Sequence, residues 1–198
     1  MNDNNIPNKQ LSSDLSEQRR RYLELTEKIN SMQRINNILS SQVTFILNKI
    51  IRDVFIPQMK EMIKSKELSW IDCPSDNNWV NSSYAGFQIR VPSWKYFTIG
   101  IEFENKGLKS PIIGFLKNND YKREDIKCWK ELQKLYPSKD LNNLSWIYKD
   151  FKGSKDWHTH DSVSQLIDGT MVNQFQEMID EMLSCAEEVK NKDQQFNL

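Results

Sequence analysis

The chain has 198 residues, of which 38% are hydrophobic and 27% are charged, and its 27 basic side chains balance its 27 acidic ones. This length predicts one compact domain, or one domain with an appendage, and zero net charge argues against a strongly basic nucleic-acid-binding protein. Because no apolar run is long enough to span a membrane and the N-terminus lacks a signal peptide, we expect a cytoplasmic protein without membrane association. Three widely spaced cysteines, Cys73, Cys128 and Cys185, are typical of free cytosolic thiols.

The first third of the chain predicts one long helix. A polar segment, residues 1–13, is expected to be flexible, and Asp14 with Glu17 three residues later is typical of a helix start. Residues 14–56 contain neither glycine nor proline. Pro57 is expected to end or kink this helix before a continuation to residue 66.

Apolar residues in this helix recur at alternating spacings of three and four. The a and d positions of the repeat are Tyr22, Leu25, Ile29, Met32, Asn36, Leu39, Val43, Ile46 and Ile50. This repeat predicts a coiled-coil stalk, and Asn36 at an a position favours parallel, two-stranded pairing at some cost in stability. The first six residues of the repeat are the candidate interaction residues. The pattern leaves open whether they contact a second copy, another protein or the chain's own domain. After residue 43 the apolar stripe widens, which predicts that residues 43–56 are buried in a globular body.

Residues 67–190 predict a globular α+β domain, followed by a tail at 191–198. Alternating patterns at 84–91 and 96–104, with a third segment at 111–116, predict an antiparallel sheet of about three strands whose second strand has one exposed face. Helices are expected at 121–135, 161–167 and 170–189, with a tryptophan-rich connection at 146–157. The predicted fold is therefore a long coiled-coil helix followed by a small sheet packed with C-terminal helices.

The sheet region carries a resemblance to a known family. The sequence VPSWKYFTIGIEFE at 91–104, then Gly107 with Leu108 and IIGF at 112–115, resembles the C-terminal module of bacterial PD-(D/E)XK-nuclease-like proteins. Trp157, LIDG at 166–169 and a terminal amphipathic helix fit the same pattern, so the similarity covers about residues 70–190. In that family the nuclease core lies upstream, where this chain has only the predicted stalk.

The resemblance implies a non-enzymatic accessory subunit of a bacterial antiphage or DNA-processing complex. Its expected partner is a second copy or another protein bound through the N-terminal helix. A nuclease or ATPase subunit is among the partners that this context implies, and no cofactor is expected.

The alternative hypothesis is a Mg²⁺-dependent nuclease. Glu104 and Lys106 have the Glu-X-Lys form of such sites, and Asp72 or Asp76 would serve as the upstream acid. In that chemistry the carboxylates hold Mg²⁺, which activates water, and the lysine orients the nucleophile. A solvated strand end followed by a turn explains the same residues. Three residues of such common types form only a weak motif.

Two histidines and a group of arginines also have two interpretations each. His158 and His160 have the spacing of metal ligands on an extended segment, whereas Asp161 indicates a helix-capping loop. Arg19, Arg20 and Arg21 would bind phosphates in a nucleic-acid-binding adaptor, but three consecutive residues point in different directions around a helix. The six tryptophans are expected mostly in the core. No P-loop, dinucleotide-binding, nucleophile-elbow or zinc-protease motif is present, which argues against an ordinary enzyme.

Overall fold

The computed structural model describes residues 7–71, 79–82, 84–122 and 126–192. The chain divides into two compact units, Met1–Thr44 and Phe45–Leu198. The helices are α1 (Pro7–Ile50), α2 (Ile56–Ser65), α3 (Trp129–Leu135), α4 (His160–Asp168) and α5 (Thr170–Lys192). The strands are β1 (Ser69–Ile71), β2 (Gly86–Arg90), β3 (Phe97–Asn105), β4 (Lys109–Lys117) and β5 (Trp146–Asp150). A π-helical segment, Ile51–Phe55, joins α1 to α2, and a 3₁₀ turn at Trp79–Asn81 precedes β2.

Helix α1 confirms the long N-terminal helix but begins at Pro7, well before the predicted start at Asp14. Proline is tolerated in the first turn because its missing N–H would have no intrahelical acceptor there. Asp14 is therefore an interior residue of α1 rather than its N-cap.

Pro57 does not end the helical run. It lies in the first turn of α2, directly after the π-helical segment. Inside a regular α-helix the proline ring would collide with the carbonyl group four residues earlier, which here belongs to Asp53. A π turn widens the helix at that carbonyl and makes room for the ring. The continuation to about residue 66 is confirmed, since α2 ends at Ser65.

The described residues contain a five-stranded sheet, so the prediction of about three strands was too low. Its order is β1-β2-β3-β4-β5, and all neighbouring strands are antiparallel. The predicted meander forms the centre, β2 to β4. Strand β1 has only three residues, too few to show an alternating pattern. Strand β5 lies where a tryptophan-rich connection was expected, and it pairs with β4 along its whole length.

One face of the sheet, called the inner face here, packs against helices. It carries the alternating residues of β3 that the sequence predicts as buried, each at most 1% exposed: Phe97, Ile99, Ile101 and Phe103. The opposite, outer face is only partly exposed, because Thr98 is 6% exposed and the indole of Trp146 lies against Gly100. The expectation of a fully solvated second face was therefore wrong for the first half of β3.

Aromatic side chains connect the helices to the inner face. Trp157 contacts Phe103 of β3, with ring centroids 4.6 Å apart, and Phe55 of the π-helical segment at 5.2 Å. Phe175 of α5 stacks on Phe151 at 4.2 Å. Residues that precede the sheet in sequence and residues that follow it thus form one hydrophobic core.

The C-terminal helices agree with prediction in number but not in every boundary. Helix α3 begins only at Trp129, later than the predicted start at residue 121. The N-cap of α4 is Thr159, whose side-chain oxygen accepts a hydrogen bond from the Ser162 N–H at 3.2 Å, so the predicted capping role of Asp161 was wrong. Gly169 ends α4 with a φ of 86°, a left-handed conformation that glycine adopts without steric cost.

Within the described part of the chain, no helix combines the length and the apolar character needed to cross a bilayer.

Candidate functional site

The predicted interaction residues form an exposed apolar stripe along α1. Their exposed fractions are 70% for Tyr22, 53% for Leu25, 54% for Ile29, 69% for Met32 and 54% for Leu39. Val43, the next residue in the same register, is 47% exposed. Residues three and four apart share one face of a helix, so these side chains form one continuous surface. A surface of this kind is typical of a protein-interaction face.

Asn36 lies within this stripe, at an a position, and is exposed. Its amide carries both hydrogen-bond donors and an acceptor, and burying it opposite an apolar residue would leave those groups unsatisfied. Residues 35–44 contain no charged side chain. Asn36 is therefore the residue that would most constrain the orientation of a paired helix in this part of the stripe.

The arginines near the start of the stripe are bound to acidic residues of the same helix. Glu17 Oε1 lies 2.9 Å from Arg20 Nη2 and 3.2 Å from Arg21 Nε, and Glu24 lies 3.9 Å from Arg20 Nη1. The hydrogen bonds from Arg20 and Arg21 hold the pKa of Glu17 below its usual value. The side chain of Arg19 lies outside the described residues. The predicted basic cluster is thus partly neutralised by its own helix.

The partner of Glu104 is Lys139 rather than Lys106. Lys139 Nζ lies 3.0 Å from Glu104 Oε2 and 2.8 Å from Asp150 Oδ1, and its hydrogen bonds to Asp150 and Glu104 raise its pKa. Lys106 lies in the β3–β4 turn and forms no ion pair with any described residue. The two other acids of the nuclease hypothesis, Asp72 and Asp76, lie outside the described residues.

The ammonium group of Lys139 therefore lies between the carboxylates of Glu104 and Asp150. Among the residues that the structure describes, no group of three or more histidine, cysteine or acidic side chains is arranged to hold a metal ion.

Glu102, two residues before Glu104 on the same outer face, has a different environment. Its neighbours on the adjoining strands are Gly86 and Ile112, and it forms no hydrogen bond or ion pair with any described residue. Burial raises the pKa of Glu102 above its usual value of 4.5. The folded state binds this proton more tightly than the unfolded state does. The free energy of unfolding therefore falls as the pH rises from the usual pKa to the raised one.

Glu102→Gln is therefore expected to raise the free energy of unfolding at pH 7 and to leave it nearly unchanged at pH 4. Urea denaturation at the two pH values measures the difference. The matched control is Glu104→Gln on the same strand face, which breaks the ion pair with Lys139 and is expected to destabilise by about 0.5–1 kcal/mol at pH 7. If both variants change stability in the same direction, the assignment of Glu102 as an unpaired acid is wrong.

The two histidines have separate partners. His158 Nδ1 lies 3.3 Å from Asp156 Oδ1, and the same carboxylate oxygen accepts a hydrogen bond from the His158 backbone N–H at 3.0 Å. The side chain of His160 is 94% exposed and lies 3.5 Å from Asp161. The His158 contacts lie in the loop that precedes α4, and His160 and Asp161 lie in the first turn of α4 itself. Because the two histidines have separate partners, the geometry favours a loop that caps α4, with Thr159 as the N-cap, over a metal site.

The tryptophans and the described cysteines belong mainly to the core. Trp79, Trp94, Trp129, Trp146 and Trp157 are each at most 9% exposed, and the half-buried Trp70 stacks on Phe87 with ring centroids 4.2 Å apart. Burial raises the pKa of the Cys128 thiol to about 11 and also raises that of Cys185. A thiol reacts as its thiolate, so neither cysteine has the environment of a nucleophile. Cys73 lies outside the described residues.

Sequence reasoning missed two groups of polar residues. Lys139 and Asp150 are far from Glu104 in sequence, and no local pattern connects them. Arg90 and Lys117 end β2 and β4, and both line a cleft at the end of the sheet where β3 begins. The sequence signal for the second group was a basic residue at or just after the end of two predicted strands, Arg90 in 84–91 and Lys117 after 111–116. This signal could be used only once the true end of β4 was known.

Comparison of the chain with protein-family models, with curated proteins and with solved structures gave no match.

Proposed function

We propose that this protein is a non-enzymatic assembly subunit that pairs with a second copy of itself through the stripe Tyr22–Leu39 of α1, as a parallel two-stranded coiled coil. The observation that supports this proposal most is the exposure of the whole stripe in heptad register with Asn36 at an a position.

Asn36 favours a second copy over an unrelated apolar helix. In a parallel pair without stagger, each Asn36 faces the Asn36 of the other chain, and the two amides satisfy each other. An antiparallel or shifted pair would place each amide against an apolar side chain, which costs free energy.

The flanking positions are compatible with the same arrangement. In a parallel pair each g residue lies near the e residue of the following heptad on the other chain. Those pairs are Arg21 with Thr26, Lys28 with Gln33, and Ile35 with Ser40. None combines like charges, so nothing in this stretch opposes self-pairing.

The proposed setting is an accessory role in a bacterial antiphage or DNA-processing assembly. It rests on the resemblance of residues 70–190 to the module described above, and a nuclease or ATPase subunit would then supply the chemistry. The nuclease alternative has less support, because Glu104 is paired with Lys139 rather than with Lys106. The adaptor alternative has less support because Arg20 and Arg21 are paired with Glu17.

The proposal is tested by the mass of the full-length protein in solution, measured by sedimentation equilibrium. The wild-type protein is expected at twice the chain mass of 23.5 kDa, and the double variant Leu25→Asp plus Ile29→Asp at the chain mass. A dimer buries four of these side chains, worth roughly 6–12 kcal/mol in total, which is comparable with the about 8 kcal/mol of a micromolar association.

The matched control is Leu23→Asp plus Asn30→Asp, which adds the same charge to the same turns of α1 outside the a and d positions. It is expected to remain dimeric. A wild-type monomer at the highest concentration reached, or a dimer that persists unchanged in Leu25→Asp plus Ile29→Asp, would overturn the proposal. An Asn36→Leu variant is expected to associate with altered stoichiometry, because the residue that favours two strands is lost.

A further inference from the structure

A polar cleft opens at the end of the sheet where β3 begins and β2 and β4 end, far in sequence from the stripe of α1. It has a volume of 260 Å³, and its polar lining is formed by Gln88, Arg90, Thr98, Lys117, Asn118, Asn119 and Asp120. The antiparallel order explains this composition, since β2 and β4 both end where β3 begins. The last residues of these two strands, Arg90 and Lys117, therefore lie on either side of the first residues of β3.

Among the described residues, Arg90 brings an unpaired positive charge to the cleft. It is exposed at the end of β2, and its guanidinium forms no hydrogen bond or ion pair with any described residue. Many other cations of the described chain have carboxylate partners, among them Arg20, Arg52 and Lys139. A planar guanidinium offers two parallel N–H donors that match the spacing of two oxygens on one anion.

The other donors of the cleft are held in place by the protein. Lys117 Nζ donates to the carbonyl oxygen of Tyr121 at 2.6 Å and to that of Asn118 at 3.4 Å, which leaves one of its three N–H donors free. The buried Thr98 hydroxyl donates to Gln88 Oε1 at 3.2 Å, so the Gln88 amide nitrogen remains as a donor. The Asn118 side chain donates to the Lys95 carbonyl at 2.7 Å and fixes the loop after β4.

We propose that this cleft binds a small phosphorylated molecule, with Arg90 and Lys117 as the donors to the phosphate oxygens and the Gln88 amide as a third donor. Two cationic groups match the double negative charge of a phosphate monoester better than the single charge of a carboxylate. The carboxylate of Asp120, also on the lining, repels a bare anion and instead accepts a hydrogen bond from a hydroxyl group of the ligand. The 260 Å³ of the cleft has room for one phosphate group and a few attached atoms, which matches a small phosphorylated molecule.

The test uses full-length protein and two probes, inorganic phosphate and glycerol 3-phosphate, with acetate at the same ionic strength as the carboxylate arm. Backbone amide chemical shifts are followed by NMR during each titration. Saturable shifts at residues 88–90 and 117–120 are expected for both phosphate probes, with glycerol 3-phosphate binding more tightly. Arg90→Gln is expected to weaken binding by about 10-fold to 100-fold, the usual range for loss of one charged hydrogen-bond partner.

Lys106→Gln is the matched control, because it also removes an unpaired exposed cation but lies in the turn after β3, at the far end of that strand. It is expected to bind like the wild type. The proposal fails if the phosphate probes give no saturable shifts in the cleft, if acetate binds as tightly as phosphate, or if Arg90→Gln and Lys106→Gln weaken binding equally. Because Arg90 is exposed, its replacement leaves the core intact, and an unchanged amide spectrum without ligand confirms this.

Discussion

Replacing Gly114 with alanine is expected to destabilise the protein by about 2–3 kcal/mol, because the sheet has no space for a side chain at this position. Gly114 lies in the middle of β4, opposite Gly100 of β3 and Tyr148 of β5. A Cβ atom there would overlap the carbonyl oxygen of Ile147 and lie 2.5 Å from Tyr148 Cα. Backbone atoms cannot rotate away as a flexible side chain can, so β4 and β5 would have to separate. Urea denaturation of the variant and the wild type measures the loss.

Gly169→Ala is the control for the loss of a glycine without a collision. Gly169 has a φ of 86°, but the nearest heavy atom to a Cβ at this position is 3.9 Å away, at Gln58 Oε1. Its replacement therefore costs only the strain of the left-handed backbone, about 1 kcal/mol. If Gly169→Ala destabilises as much as Gly114→Ala, or if Gly114→Ala stays within about 0.5 kcal/mol of the wild type, the packing argument is wrong.

The sequence predicted those elements whose residues repeat with a clear period. The heptads of α1 and the alternation of β3 are both long enough for a pattern to emerge, and both are present. Strand β5 was missed because Trp146, Ile147 and Tyr148 are all buried, so no polar residue alternates with them. Trp146 and Tyr148 lie on the outer face, against Gly100 and Gly114. Their burial there could be recognised only once β5 was paired with β4.

The candidate sites were predictable only where the chemistry is local in sequence. Asn36 could be assigned to an a position of the stripe because its place within the repeat is counted along one helix. The pairing of Glu104 with Lys139 joins residues 35 positions apart and depends on a loop whose course no pattern indicates. Charges that face each other across a sheet are determined by register, and the register of β5 was not available from the sequence.

Trp157→Ala is expected to cost about 3–5 kcal/mol, a large part of the stability of an ordinary domain. Trp157 is fully buried, and its ring contacts Phe55, Phe103 and Phe175, which come from three different elements. Its indole N–H has no hydrogen-bond partner among the described residues, so the substitution removes no hydrogen bond. The loss therefore reports packing alone, and the cavity would lie at the point where the helices meet the inner face of the sheet.

Trp157→Phe keeps an aromatic ring in the same space and is expected to cost roughly half as much, which keeps the argument testable if the alanine variant does not fold. Tyr84→Ala removes a ring of similar size that is 69% exposed, and it is expected to stay within about 0.5 kcal/mol of the wild type. Thermal and urea denaturation of the three variants measure the order of the effects. If Trp157→Phe destabilises the protein as much as Trp157→Ala, the indole N–H of Trp157 forms a hydrogen bond, and packing alone does not explain the loss. If neither variant is destabilised, Trp157 is not the residue that joins the helices to the sheet.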